Sequence, residues 1–169
     1  MSVRCKANTA SGHRCKNKTA QSLPYCWIHM KQKDNLQIKT SQIPNAGKGL
    51  FAVCPKKENQ VCFRRGDRAA YYSGDLLDEI PQNKEYVLNV NNNRYLDSAN
   101  KLNYPGRYIN DSRGSNKRNN VLLTGRYYRK DDKIVSPITA MRNIKHGDEL
   151  YTAYGRSYWD ERRRNAKNN

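Results

Sequence analysis

The sequence predicts a mainly β domain that follows a small zinc-stabilised module, and two observations support this fold class. Most apolar residues lie in short runs, such as residues 50–53 and 121–123, and glycine, asparagine or proline residues separate these runs. That pattern is typical of short strands joined by turns. The first 33 residues contain too few apolar side chains for a core, but they include three cysteines and two histidines. The 169-residue chain therefore accommodates one core-bearing domain and a small appendage.

The composition predicts a polar protein without a membrane partner. Hydrophobic residues make up 36% of the chain and the mean hydropathy is −1.06, although two tryptophans and twelve tyrosines supply large groups to bury. No apolar run reaches the roughly 18 residues that a membrane span requires. Residues 1–30 also lack the apolar stretch of a secretory signal. We therefore expect an intracellular protein.

The basic charge predicts association with polyanions, nucleic acid first. The net charge is +17 and the isoelectric point is near 9.8. The alternative is a basic surface that only keeps the chain in solution. Clustering favours nucleic acid, because residues 1–33 contain seven cations and no acid, namely Arg4, Lys6, Arg14, Lys16, Lys18, Lys31 and Lys33. A second cluster closes the chain with Arg162, Arg163, Arg164 and Lys167.

The N-terminal cysteines predict a structural zinc site. Thiolate and imidazole are the ligands that zinc prefers in closed tetrahedral sites. A segment of about 30 residues needs a metal or disulfides to fold, and without a secretory context the metal is favoured. The pattern C-x9-C-x10-C-x2-H assigns the ligands as Cys5, Cys15, Cys26 and His29. His13 is an alternative ligand, and free cysteines are the alternative to a site. Cys54 and Cys62 are then expected to be ordinary buried thiols.

Local patterns place the remaining elements in order. Residues 31–35 indicate a linker, and 66–85 are an acidic stretch that either steers a basic peptide or forms a solvated face. Pro137 should mark an edge or a bulge. Alternation over 150–154 predicts that Tyr154 faces the core together with Leu150 and Thr152. The predicted strands cover residues 36–39, 50–53, 60–63, 69–72, 85–90, 94–97, 121–123, 127–128, 133–141 and 150–154, and a short helix covers 157–162.

Three stretches together resemble the signature of the SET-domain protein lysine methyltransferases. They are residues 46–52 (AGKGLFA), residues 107–112 (RYINDS) followed by Asn119 and Asn120, and residues 147–155 (GDELYTAYG). The resemblance covers about residues 36–159. It implies a mainly β fold of several small sheets with a C-terminal pseudoknot. The implied organisation is a zinc-binding segment over 1–33, a SET domain over 34–160 and a basic tail over 161–169.

The resemblance also implies the reaction and its residues. A SET enzyme transfers a methyl group from S-adenosylmethionine to a lysine of a protein such as a histone, and Tyr154 would be its catalytic residue. The substrate channel would include Tyr72, Tyr86 and Asn120. The cofactor would be bound by Gly47, Lys48, Gly49, Arg107, Tyr108, Asn110, Asp111, Tyr154 and Trp159.

Two departures from the family pattern leave an alternative function open. Asp111 stands where the family has histidine, and residues 113–118 are inserted before Asn119 and Asn120. The family's C-terminal cysteine triplet is absent, so Tyr158, Trp159 or the N-terminal module would complete the channel. The two candidate functions are a lysine methyltransferase that contacts DNA or nucleosomes and an inactive adaptor that binds nucleic acid. The expected location is nuclear or chromatin-associated in a eukaryotic or viral setting, and cytoplasmic otherwise.

Overall fold

The computed structural model describes residues 2–20, 25–54, 60–91, 93–99, 105–130 and 133–167. Within these ranges the chain forms fifteen short strands, two α-helices and one 3₁₀ turn. In chain order they are β1 Ser2–Arg4, β2 Lys18–Ala20, α1 Trp27–Asp34, β3 Leu36–Thr40, β4 Lys48–Ala52, β5 Val61–Phe63, β6 Arg68–Ser73, β7 Asp75–Leu77, β8 Val87–Val90, β9 Arg94–Asp97, the 3₁₀ turn Pro105–Tyr108, β10 Asn110–Asp111, β11 Val121–Leu123, β12 Tyr128–Lys130, β13 Lys133–Ala140, β14 Ile144–Lys145, β15 Tyr151–Thr152 and α2 Arg156–Lys167. The mainly β class is confirmed.

The strands form several small sheets rather than one large one. Strand β13 is central in the largest sheet, because β11, β12 and β6 all pair with it. The predicted hairpin over 85–97 is confirmed as β8 and β9, with β7 on the other side of β9. Three further pairs are antiparallel, namely β1 with β2, β3 with β4 and β5 with β14. Only β10 and β15 run parallel among the described pairs. Their pairing joins the central motif to the C-terminal strand, as the expected pseudoknot requires.

One apolar core connects these sheets. Its fully buried members include Leu36 and Leu50 from the β3–β4 hairpin, Leu96 from β9 and Ile138 from β13. Side chains from distant parts of the sequence therefore meet in a single cluster. None of the helices in the described part of the chain is long and apolar enough to cross a membrane.

The stretch predicted to be a linker is helical. Residues 31–34 form the second half of α1, and the helix ends at Asn35, which adopts a left-handed conformation with φ 54°. Met30 of this helix is buried in the main core, whereas Cys26 and His29 belong to a separate cluster in the N-terminal module. The polar residues 31–34 therefore belong to a helix rather than to a linker, and apolar contact at Met30 holds that helix in place.

The C-terminal strand is shorter than the alternation predicted. Strand β15 contains only Tyr151 and Thr152, and both side chains are buried, whereas Tyr154 is 37% exposed. The prediction that Tyr154 faces the core is wrong, because the extended backbone ends at Thr152. Helix α2 starts soon afterwards and continues to Lys167, so it extends past the expected domain boundary at 160.

The structure corrects two further expectations, one for Cys54 and Cys62 and one for Pro137. Cys54 and Cys62 form a disulfide rather than remaining thiols, because the end of β4 and strand β5 bring their Cα atoms to 5.3 Å. Pro137 is not on an edge strand, since β13 is central. It pairs with Tyr71 of β6, and the register shifts one residue later, between Ile138 and Thr139, so the bulge lies beside the proline.

Candidate active site and metal centre

Four side chains of the N-terminal module meet in one buried cluster. Two backbone hydrogen bonds hold its first part together, from Cys5 N to Asn17 O at 2.9 Å and from Cys15 N to Ala7 O at 2.8 Å. The potential ligand atoms all lie within 4.8 Å of one another, and they belong to Cys5, Cys15, Cys26 and His29. Three sulfurs and one imidazole nitrogen at this separation suit a tetrahedral zinc ion.

The second half of the cluster depends on the start of helix α1. Cys26 precedes the helix, and its Sγ lies 3.3 Å from Nδ1 of His29. Burial raises the pKa of the Cys26 thiol, but hydrogen bonds from His29, Asn17 and Cys5 outweigh burial and lower that pKa to about 6. A thiolate is therefore favoured at neutral pH, which is the form that binds a metal. His13 is exposed beside Ser11 and lies outside this cluster.

A cleft of about 660 Å³ lies between the glycine turn and the central motif. The turn is residues 43–48, and Gly47 adopts φ 72°, which favours glycine. Gly49 does not line the cleft, because its Cα faces the buried Glu149 carboxylate, where a Cβ would collide. Eight residues predicted to bind a cofactor line this one cavity, namely Gly47, Lys48, Arg107, Tyr108, Asn110, Asp111, Tyr154 and Trp159.

Asn110 attaches the glycine turn to the central motif. Its Nδ2 donates to the main-chain oxygen of Lys48 at 2.9 Å and to Oε1 of Glu149 at 3.2 Å. The side chain of Lys48 is exposed, so Lys48 contributes to this contact through its main chain. The amide therefore fixes the width of the cleft at the point where strand β4 begins.

A second, narrower pocket of about 70 Å³ opens beside the cleft. Aromatic rings dominate its wall, with Ile109 and Leu88 as apolar neighbours. Its four tyrosines are Tyr72, Tyr86, Tyr154 and Tyr158. Both cavities are lined by Glu85, Tyr86, Arg107, Tyr154 and Tyr158, so these residues mark the place where they meet.

The inner end of the narrow pocket is buried. Tyr72 is buried, and its hydroxyl donates to the carbonyl oxygen of Tyr86 at 2.5 Å. Burial, and then proximity to Tyr154, raise the pKa of Tyr72 well above its usual value. The guanidinium of Arg107 lies 3.8 Å from the centroid of the Tyr86 ring, so a fixed cation stands beside the aromatic wall.

Tyr154 stands at the junction of the two cavities and is held from three directions. Its hydroxyl donates to the carbonyl oxygen of Ile109 at 2.7 Å, and its backbone N–H donates to Oδ2 of Asp111 at 2.7 Å. Its ring meets the ring of Tyr158 edge-on, with centroids 4.9 Å apart. A side chain that is 37% exposed is thus kept in one orientation.

Asp111 connects three segments around this tyrosine. Its Oδ2 accepts hydrogen bonds from the N–H of Tyr154 and from Nε1 of Trp159, both at 2.7 Å, and its Oδ1 accepts from the N–H of Arg113 at 2.7 Å. Strand β10, the end of β15 and helix α2 therefore converge on one buried carboxylate. A neutral histidine can accept only one such bond, so aspartate suits this set of three donors.

The fold is similar to several solved structures at low sequence identity. A structure of polycomb repressive complex 2 from Chaetomium thermophilum matches with a TM-score of 0.50 and 21% identity, over 72% of this chain. A second structure of that complex, in an autoinhibited conformation bound to S-adenosylmethionine, matches with a TM-score of 0.54 and 19% identity over 91%. A SET8 protein from Cryptosporidium has a TM-score of 0.49 and 23% identity over 72%.

The chain has the SET-domain fold. The structure brings residues of the three sequence motifs together around the cleft. The chain covers 15%, 19% and 57% of the lengths of the polycomb, autoinhibited polycomb and SET8 chains, respectively. No family model and no curated protein matches the sequence.

A residue that the sequence analysis did not select lies behind the glycine turn of this SET domain. Glu149 is 2% exposed and accepts four hydrogen bonds. The donors are Ser41 Oγ (2.7 Å), the N–H of Gln42 (2.6 Å), Asn110 Nδ2 (3.2 Å) and the Tyr151 hydroxyl (2.8 Å). The carboxylate therefore joins the segment just before the glycine turn, the central motif and β15. The only sequence signal for this role is an acidic residue directly before the apolar end of the closing motif.

Asn120 is not brought to the two cavities around Tyr154. It is buried, its Nδ2 donates to the carbonyl oxygen of Glu149 at 2.8 Å, and its Oδ1 accepts from the N–H of Tyr151 at 2.8 Å. Both ends of the amide therefore hold the backbone around β15 in place. The inserted loop before Asn120 leaves this residue behind the strand rather than in the narrow pocket.

Proposed function

We propose that this protein is an S-adenosylmethionine-dependent protein-lysine N-methyltransferase. The observation that carries the proposal is the meeting of a wide polar cleft and a narrow aromatic pocket at Tyr154. Methyl transfer requires two molecules to approach from opposite sides with their reacting atoms in line. Two cavities joined at one oriented side chain supply that arrangement.

The cleft has the size and chemistry for S-adenosylmethionine. Its 660 Å³ lies within the usual range for small-molecule sites. The rings of Tyr108 and Trp159 suit an adenine, and the main chain around Gly47 suits polar groups. When bound, S-adenosylmethionine supplies an activated methyl group on a cationic sulfur. The polycomb structure with the highest coverage contains this molecule, which supports the same assignment here.

The narrow pocket would hold the target lysine as a neutral amine. A lysine ammonium has a pKa of about 10.4 and no lone pair, so it must lose a proton before it can attack. Burial among the rings of Tyr72 and Tyr86 disfavours the charged form, and the neighbouring guanidinium of Arg107 disfavours it further. Tyr154 would orient the amine at the mouth, because its hydroxyl is fixed by the carbonyl of Ile109.

The proposed substrate is a lysine-bearing protein such as a histone. Its approach is supported by Glu85, which lines both cavities and is exposed. Other acids of the 66–85 stretch are engaged locally, because Asp78 pairs with Arg94 at 2.6 Å and Asp67 accepts from the N–H of Arg64 at 2.8 Å. Only part of the predicted acidic surface is thus available to steer a basic peptide.

DNA or nucleosome contact belongs to the same proposal, with a nuclear or chromatin-associated location. The module presents Lys6, Lys16 and Lys18 as exposed side chains. In α2, Arg163 pairs with Asp160 and Arg164 is exposed. The side chains of Lys31, Lys33, Arg162 and Lys167 lie outside the described residues, so the full extent of both basic clusters is a prediction from sequence.

The adaptor alternative is not favoured. It depended on Asp111 and on the inserted loop as signs of a degenerate site. Asp111 instead holds Tyr154 and Trp159 in the wall of the cleft, which is compatible with an active enzyme.

The test is transfer of labelled methyl groups from S-adenosylmethionine to core histones, nucleosomes and a free histone peptide. We expect Tyr154→Phe to lower kcat by about 100-fold, with a loss of only about 1 kcal/mol in stability, because one hydrogen bond of a partly exposed hydroxyl is removed. Asn110→Ala should weaken cofactor binding by releasing the glycine turn.

Tyr151→Phe is the matched control for Tyr154→Phe. Tyr151 is also a tyrosine of the closing motif, but its hydroxyl bonds to Glu149 and it lines neither the cleft nor the narrow pocket. It should lower stability and leave kcat within a few-fold of wild type. Equal activity in wild type and Tyr154→Phe would contradict the catalytic assignment.

A further inference from the structure

A third cavity lies apart from the site described above. It has a volume of about 360 Å³ and shares no lining residue with the cleft or the narrow pocket. Its floor is polar and rigid, because it includes the buried Asn120, Glu149 and Tyr151. Four cations line this cavity, which we call the basic groove. They are Lys117, Arg118, Arg142 and Lys145.

The inserted loop delivers two of these cations, and hydrogen bonds fix its conformation. The hydroxyl of Ser112 donates to Oδ1 of Asn119 at 2.7 Å, which closes the loop at its base. The hydroxyl of Ser115 donates to the carbonyl of Ser112 at 2.7 Å and accepts from the N–H of Lys117 at 3.1 Å. The insertion therefore has a defined shape with Lys117 and Arg118 at its end.

Of the other two cations, Arg142 lies between β13 and β14, and Lys145 is the second residue of β14. Arg142 donates from Nη2 to the carbonyl oxygen of Arg118 at 3.1 Å, and the N–H of Met141 donates to the carbonyl of Asn120 at 2.8 Å. These bonds hold the two segments together across the groove. The cations therefore lie on a preformed concave surface rather than on independent flexible side chains.

The groove keeps a positive formal charge, because four cations and only two carboxylates line it. Of its two carboxylates, Glu149 is occupied by four donors, and Asp148 accepts from the N–H of Lys145 at 2.8 Å. Among the described residues, none of the four cations forms an ion pair with an acid. A concave basic surface with amide groups from Gln42 and Asn143 at its edge suits an anion that carries several acceptors.

We infer that the basic groove binds the phosphate backbone of a nucleic acid. Several phosphates in a row match four cations on a shaped surface, whereas a single small anion would need only one or two of them. The overall charge of +17 adds long-range attraction for the same polyanion. This site differs from the two terminal basic clusters, and the inference does not require methyl transfer.

The test measures binding of a fluorescent 20-base-pair DNA duplex to the full chain by anisotropy over a series of salt concentrations. The groove variant is Arg118→Gln with Lys145→Gln. The control variant is Arg126→Gln with Arg129→Gln, which removes the same charge from exposed positions beside β12. We expect the groove variant to raise Kd about tenfold or more and to reduce the salt slope by about two. The control should stay within about twofold of the wild-type Kd.

Two further arms keep the result decisive. Arg118→Lys with Lys145→Arg keeps the charges and should retain wild-type binding, which separates loss of charge from misfolding. Polyglutamate offered in place of DNA should show no dependence on Arg118 and Lys145. Methyl transfer to a free peptide should be unchanged in the groove variant, so failure of this inference is distinguishable from failure of the proposed function. The inference would be overturned by equal losses of DNA affinity in the groove and control variants, or by no loss in the groove variant. It would also be overturned if polyglutamate binding required both Arg118 and Lys145.

Discussion

The N-terminal module and the SET domain are stabilised in different ways. In the module, the buried apolar cluster consists of Cys5, Ala7, Cys15 and Cys26, and the sulfurs are themselves the proposed metal ligands. In the SET domain, aliphatic and aromatic side chains form one buried cluster. They come from at least nine strands and turns and include Leu36, Leu96 and Ile138. We therefore expect the stability of the module to depend on four ligand atoms, whereas that of the domain depends on distributed apolar contact.

The comparison also separates the roles of polar groups in the two regions. The module places its potential metal ligands at the centre of its fold, so we expect the loss of one ligand to unfold it. The SET domain uses its buried polar groups, Glu149 and Asp111, to connect segments that the apolar core already brings together. Loss of one of these carboxylates should weaken the domain or its site without unfolding it.

Metal removal should have the largest effect. Structural zinc contributes about 10–16 kcal/mol in small zinc-binding units, so a strong chelator should unfold residues 2–20 while the SET domain keeps a cooperative thermal transition. Acidification should have the same effect, because protons displace the metal from the thiolates and the imidazole. Circular dichroism together with zinc analysis would measure both changes.

Two single variants sharpen this prediction. Cys26→Ser should lose most of the zinc, which we expect at about one ion per chain, whereas His13→Ala should keep it because His13 is exposed outside the cluster. A Cys26→Ser protein with full zinc content would show that the module is held in another way.

Glu149→Gln should have an intermediate effect. The amide keeps the shape of the side chain, but its NH₂ group would face the N–H of Gln42 and cannot accept a hydrogen bond from it. We therefore expect a loss of about 2 kcal/mol in the free energy of unfolding. Burial, and then the hydrogen bond to Glu149, raise the pKa of Tyr151 well above its usual value. The variant should bring that pKa closer to an ordinary tyrosine, which an ultraviolet titration would detect.

The sign of this linkage gives a check on the wild-type chain. Because Tyr151 stays neutral in the folded state, its contribution to stability is present below the pKa of an unfolded tyrosine, about 10, and is lost as the pH rises above it. The wild-type protein should therefore lose more stability between pH 9 and 11 than Tyr151→Phe, which has no proton to lose at this position. Parallel stability curves for the two proteins would argue against a perturbed Tyr151.

Asp111→Asn should have the smallest effect on stability. An amide NH₂ group replaces one of the two carboxylate oxygens and cannot accept a hydrogen bond. One of the three hydrogen bonds to this side chain is therefore lost, at a cost of about 1 kcal/mol. The larger consequence should be local, with weaker cofactor binding and a more mobile Trp159, which its fluorescence would report. Asp111→Ala should weaken both further, and a variant in which Trp159 fluorescence and cofactor affinity stay unchanged would contradict the connecting role.

The sequence predicted short-range relationships better than long-range ones. It identified the four module residues that cluster, the β8–β9 hairpin and the eight residues that line the cleft, because each depends on local spacing or on motifs with a family counterpart. The prediction that Tyr154 faces the core was wrong, because strand alternation cannot indicate where β15 ends. The sequence did not reveal Glu149, whose partners Gln42 and Asn110 lie 107 and 39 residues away in the chain.

Helix α1 has a practical consequence for any dissection of this protein. His29 contributes to the metal cluster and the next residue, Met30, is buried in the core of the SET domain, so one helical turn serves both regions. A chain that lacks residues 1–33 would lose the proposed zinc ligands. It would also lose the first seven residues of this helix, including Met30. Such a truncation would remove part of the core of the SET domain, so a loss of activity in it would not show that the module takes part in the proposed reaction. Point substitutions at Cys5 or Cys15 leave the helix intact and are the sounder way to ask what the module does.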